Sequence, residues 1–88
     1  MYTIQLLKPA SRGLERLDKA VATRVVRRLR WLAEHLDSIS PEPLKGRLRG
    51  LYKLCEGDYR VAYEILRGER VIIVHLIGHR REIYKLKS

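Results

Sequence analysis

Apolar positions change their spacing twice along the chain. Tyr2 to Leu7 alternate, with Tyr2, Ile4 and Leu6 on one side and Thr3, Gln5 and Leu7 on the other, which predicts a strand. From Ala10 to Leu36 the period lengthens. Ala10, Leu14, Leu17 and Val21 recur at helical spacing, and so do Val25, Leu29, Leu32 and Leu36. Pro9 suits the first turn of a helix, where its missing N–H is no loss. Asp18 is placed to cap a second helix where the first ends. The segment therefore reads as a hairpin of two unequal helices, the first weakened by Gly13 by roughly 1 kcal/mol relative to alanine. Asp37 to Pro43, DSISPEP, holds two prolines and stops the second helix in a loop.

Alternation then returns. Leu51 to Cys55 forms a short strand and Glu56-Gly57-Asp58 a tight turn. Tyr59 to Leu66 is a longer strand, with Tyr59, Val61, Tyr63 and Ile65 facing one way and Arg60, Ala62, Glu64 and Leu66 the other. Arg67-Gly68-Glu69-Arg70 turns the chain again, with the glycine expected to supply a positive φ. Val71 to Ile77 is almost entirely β-branched or long aliphatic, as in the middle of a sheet. Gly78 ends this strand, and Ile83 to Leu86 reads equally as a last short strand or a helical turn. The expected fold is α+β: an N-terminal strand, a two-helix hairpin and a three-stranded antiparallel meander. Together these make a four-stranded twisted sheet with helices on one face, in a single domain spanning residues 1–88.

Composition changes this picture in one respect. The 88 residues carry a formal net charge of +9, and a charge of that size points to a polyanionic partner such as nucleic acid, an anionic membrane or an acidic protein. Cys55 is the one cysteine, so no internal disulfide is available. No apolar run approaches the roughly 20 residues that cross a bilayer, and the N-terminus lacks the pattern of a signal peptide. A cytoplasmic location is the simplest expectation. The three histidines and Cys55 lack metal-ligand spacing, and no cofactor motif is present.

Period-2 geometry gives the cations a meaning. If Tyr52 and Leu54 face the helices, Lys53 and Cys55 face outward; Arg60 faces outward on the next strand, across a tight hairpin. Two cations side by side repel unless an anion lies between them, as at a phosphate site. Arg80 leaves the central strand where it can join them. Tyr84 offers a ring for stacking or a hydroxyl for proton transfer, or simply packs in the core. His75 reads as a half-buried packing residue, and His79 stands at the strand exit. Arg24, Arg27, Arg28 and Arg30 on the second helix form either a solvated face or a surface for phosphate or a protein partner.

The segments LKGRLRGLYKL, GDYRVAYEI and VHLIGHRREIY, with the KPA entry to the helices, resemble the RelE/ParE superfamily of toxins from toxin–antitoxin modules. The resemblance implies a toxin that cuts messenger RNA in the ribosomal A site without a metal or cofactor. In that reaction the ribose 2′-OH attacks the adjacent phosphate, leaving a cyclic phosphate and a free 5′-OH. It also implies site residues. Lys53 matches the lysine that helps activate the 2′-OH, Arg60 the phosphate-holding arginine, Arg80 the basic residue that serves the leaving group or phosphate, and Tyr84 the tyrosine that orients substrate. Lys45, Arg47, Arg49, His79, Arg81 and Lys85 flank this set as candidates for substrate binding. One position departs from the pattern: Cys55 stands where some relatives carry a second lysine, and His79 is a candidate to replace the missing base. The implied partner is an acidic antitoxin in a hetero-oligomer, with operator DNA reached only through that complex and no membrane contact. A ParE-like toxin that inhibits DNA gyrase without cutting anything is the alternative.

Overall fold

A computed structural model describes residues 1–87, with positions 84, 86 and 87 described by backbone alone. In chain order the elements are β1 (Thr3–Leu6), α1 (Lys8–Glu15), α2 (Lys19–His35), β2 (Glu42–Pro43), β3 (Tyr52–Glu56), β4 (Tyr59–Leu66), β5 (Val71–His79) and α3 (Arg80–Lys87). Short 3-10 turns occupy Leu36–Ser38 and Gly46–Leu48. The sheet runs β1-β5-β4-β3-β2, antiparallel except that β1 lies parallel to β5. The helical hairpin accounts for the parallel pair, because β1 and β5 are separated by most of the chain and need no tight turn between them.

The periodicity of the helices is realised in the core. Val25, Leu29 and Leu32 are buried along one stripe of α2, Leu36 continues it in the following turn, and Ala10 is buried on α1. They meet Tyr2 from the N-terminal strand region, Leu54, Val61 and Tyr63 from β3 and β4, and Ile72, Val74 and Ile77 from β5. Burial pushes the Tyr63 phenol up to about 12, with the neighbouring Tyr52 adding to the shift. No helix among the described residues is long and apolar enough to cross a membrane.

Three details go beyond the sequence pattern. The sheet gains a fifth strand, because Glu42 and Pro43 of the supposed loop pair with Lys53 and Tyr52. The C-terminal segment resolves to a helix, α3. The left-handed residue of the β4–β5 turn is Arg70, at φ 56°, and not Gly68. Arg70 tolerates that conformation because its guanidinium is anchored, 3.1 Å from Asp37 Oδ2 and 4.4 Å above the Tyr2 ring. The Tyr2 hydroxyl donates to Asp37 Oδ1 at 2.9 Å, so one carboxylate ties the end of α2 to the N-terminal strand and the β4–β5 turn.

Gly13 also finds its reason here. A Cβ at that position would run into the carbonyl oxygen of Ile77, so only glycine lets α1 lie directly on the β5 backbone. Gly13→Ala should therefore destabilise the fold by about 1–3 kcal/mol in chemical denaturation, the overpacking cost exceeding the gain in helix propensity. For Asp37, the Tyr2 hydrogen bond and then the Arg70 contact hold the carboxyl below its ordinary range. Its contribution is complete above about pH 4 and is lost as pH falls through the depressed folded-state value. Thermal unfolding of Asp37→Asn should accordingly show a lower midpoint at neutral pH and a gap from wild type that closes in acid.

Candidate functional site

The β3–β4 register decides where the predicted cations lie. Lys53 faces Ala62 and Cys55 faces Arg60, so all four share the face turned away from α1 and α2. Lys53 and Arg60 are diagonal neighbours there, with backbones about 7–8 Å apart. Gly78 pairs with Arg60 from the other side and shares that face. The sequence pattern thus placed these side chains on the correct surface.

Their charged ends each have partners in the fold. The Lys53 ammonium reaches outward to Glu42 of β2 at 2.8 Å, and its side chain is 16% exposed. The Arg60 guanidinium folds back over the β3–β4 turn and donates to the carbonyls of Gly57 at 2.7 Å and Tyr59 at 2.9 Å. Sequence reasoning missed Glu42, since a two-residue strand beside proline leaves no period to detect.

The face is also covered. The Arg80 N–H donates to the Asp58 carbonyl at 2.8 Å, which starts α3 at the turn that holds Arg60. Glu82 and Ile83 of α3 lie beside Gly78, where an added Cβ would be in ordinary contact with the Glu82 carboxylate at 3.4 Å. Ile83 is buried, as are Ala62 and Leu44, all outside the main core cluster, making a second small apolar layer under α3. The helix also packs on the Gly46–Leu48 turn, which carries Arg47 between Lys45 and Arg49. All three of these basic residues are exposed, as are Arg80, Arg81 and Lys85. The Tyr84 side chain lies outside the described residues.

His79 belongs to the other face. It pairs with Tyr59, the two rings meeting edge to face at 5.5 Å, and its Nδ1 accepts the Arg81 N–H at 3.2 Å. It acts as a cap on α3, on the opposite face of the sheet from the Lys53 and Arg60 side chains. His75 is half-buried as expected and also takes a partner, Glu64, at 3.0 Å. No group of three metal-ligating side chains gathers among the described residues.

Comparison with known families converges on one answer. The family model described as "ParE toxin of type II toxin-antitoxin system, parDE" matches residues 4–84. The chain belongs to that toxin family. No curated protein sequence matches it. Among solved structures, the RelBE2 toxin–antitoxin complex of Mycobacterium tuberculosis contains a chain 25% identical, with a TM-score of 0.78 over 90% of this chain and 98% of that one. The isolated Escherichia coli RelE toxin aligns at 22% identity and TM-score 0.75, over 97% and 93% of the two chains. The archaeal RelE–RelB complex of Pyrococcus horikoshii gives 25% identity and a TM-score of 0.66, over 90% and 94%. This ParE-family toxin thus shares the architecture of RelE structures: a helical hairpin against a mixed sheet.

For the toxin's His79, the capping role makes a direct expectation. His79→Ala should lower stability by roughly 1 kcal/mol through loss of the α3 cap. Hydrogen exchange should show faster opening confined to α3 and the end of β5.

Proposed function

We propose that this toxin is a messenger RNA endonuclease, neutralised by an acidic antitoxin in a hetero-oligomer. The observation that carries the reading is the shared outer face of Lys53 and Arg60, with Arg80 starting α3 at the turn that anchors Arg60. In this reading a substrate phosphate replaces the Gly57 and Tyr59 carbonyls as the partner of Arg60, which offers a bidentate fork to the phosphorane. Lys53 exchanges Glu42 for the charge developing at the 2′-OH. Arg80 serves the leaving oxygen or the phosphate and Tyr84 orients the substrate. Lys45, Arg47, Arg49, Arg81 and Lys85 draw the RNA backbone onto this face. With Cys55 in place of a second lysine, positive charge on the phosphorane falls mainly to Arg60 and Lys53.

A second reading, gyrase inhibition without RNA cleavage, is favoured by two observations: the matching family is named for ParE, and both Lys53 and Arg60 are engaged with partners of their own. Primer extension on messages from cells expressing the toxin separates the two. The nuclease reading expects cuts within translated codons, reduced about 100-fold by Arg60→Ala at equal protein level. Intact messages accompanied by DNA damage would overturn it in favour of the gyrase reading.

A further inference from the structure

The two edges of the sheet are built differently. At one, β2 is two residues long and consists of a carboxylate and a proline, Glu42 and Pro43, both of which discourage further pairing. At the other, β1 runs Thr3-Ile4-Gln5-Leu6 and carries neither proline nor charge. No Asp, Glu, Lys or Arg stands between Met1 and Leu7, in a chain whose formal net charge is +9. The large hydrophobics left exposed among the described residues are Met1, Leu6 and Leu7, all in this same segment.

Backbone direction shows what this edge offers. The N–H groups of Thr3 and Leu7 donate inward to the carbonyls of Arg70 and Val74, at 2.9 and 3.0 Å. Alternation then turns the N–H and C=O groups of Ile4 and Leu6 outward, where no further strand pairs with them among the described residues. The Tyr2 N–H points the same way but donates to the Ala33 carbonyl at 3.0 Å, so the end of α2 closes the edge there. An uncharged edge holds no phosphate and attracts no acidic chain, because neither finds a cation on it. What complements it is another extended, uncharged strand with apolar side chains, and β1 of a second copy is such a strand. Elsewhere on the surface two chains this basic repel one another.

We propose that two copies of this chain pair antiparallel along β1, about a two-fold axis at Gln5. One register satisfies all the outward groups: Ile4 lies opposite the partner's Leu6, Leu6 opposite the partner's Ile4, and the two copies of Gln5 face each other. Each Ile4–Leu6 pair exchanges two main-chain hydrogen bonds and joins two aliphatic side chains, while Thr3 comes opposite the partner's Leu7 on the other face. A register centred on Ile4 would instead set Leu6 against Tyr2, whose N–H is already bonded. The two five-stranded sheets become one, with both cationic outer faces turned the same way, so that a single polyanion can meet two of them. Residues 3–7 of each copy bury less than the roughly 1,000 Å² of a stable interface, so the dimer forms at high protein concentration and separates on dilution. The pairing does not depend on whether the toxin acts on RNA or on gyrase.

Sedimentation velocity of the purified toxin should show a monomer–dimer equilibrium that moves toward dimer with protein concentration. Added salt should favour the dimer too, because it screens the repulsion between like charges. Where dimer predominates, amide exchange at Ile4 and Leu6 should slow at least 10-fold. Gln5 is exposed, so Gln5→Lys should leave circular dichroism unchanged while setting like charges across the axis and weakening the dimer at least 10-fold. The register is tested in a Cys55→Ser background, which removes the one native cysteine. There Gln5→Cys should give a disulfide-linked dimer under mild oxidation, since residues facing each other at such a position have Cα atoms about 4.5 Å apart, and Thr3→Cys should not. A toxin that stays monomeric at every concentration overturns the proposal. So does a dimer that survives Gln5→Lys with the Ile4 and Leu6 amides unprotected, because it then uses another surface. Association that falls with salt or with ribonuclease treatment assigns it to a bridging nucleic acid, and protection seen only with the product of the adjacent open reading frame assigns the edge to a different protein; either result also overturns the pairing.

Discussion

The strand β5 is hydrogen-bonded on both flanks, and the rest of the molecule is arranged around that double pairing. On one side β1 runs parallel from Thr3 to Leu6; on the other β4 runs antiparallel along its full length. Residues such as Ile72 and Val74 can be fully buried because their backbone groups find strand partners on either hand. Where β1 stops, α1 takes over the flank and lies on the β5 backbone at Ile77, a contact only a glycine on the helix permits. At its end the same strand passes directly into α3.

A register shift within that pairing has a large effect. Tyr63 faces Val74 and Ala62 faces Leu76, so His75 is the extra residue of a bulge. The core-facing positions of β5 accordingly change parity, from Ile72 and Val74 to Ile77 and His79. Without this shift His79 would share the outer face with Arg60. With it, His79 packs on Tyr59 and caps α3, and Gly78 lies beside Glu82 and Ile83 of that helix.

Charge is distributed with a similar economy. The chain is strongly basic, and several of its few carboxylates brace a junction. Asp37 holds the N-terminal strand and the β4–β5 turn to the end of α2, Glu42 clips β2 to Lys53, and Glu56 reaches α2 through Arg24. These junctions relieve repulsion locally while leaving an excess of arginine and lysine on the surface. The cations that remain at the surface are spread over α1, α2 and both ends of α3.

Much of this was legible in the residues themselves. Helical spacing from Ala10 to Leu36 and alternation from Tyr52 to Leu66 follow from side-chain periodicity, a local property, and they put Lys53 and Arg60 on one surface. The segments around Tyr52, Gly57 and Gly78 carried the family resemblance for the same reason, since motifs are local too. Three things escaped: the strand made by Glu42 and Pro43, the bulge at His75, and the path of α3 over the face that looked open. Each depends on which backbone groups lie opposite one another across long separations in sequence. The chain alone determined its elements and the side each residue faces within them; pairing between distant strands decided which sides meet, where the charged ends point and which edge is left unpaired.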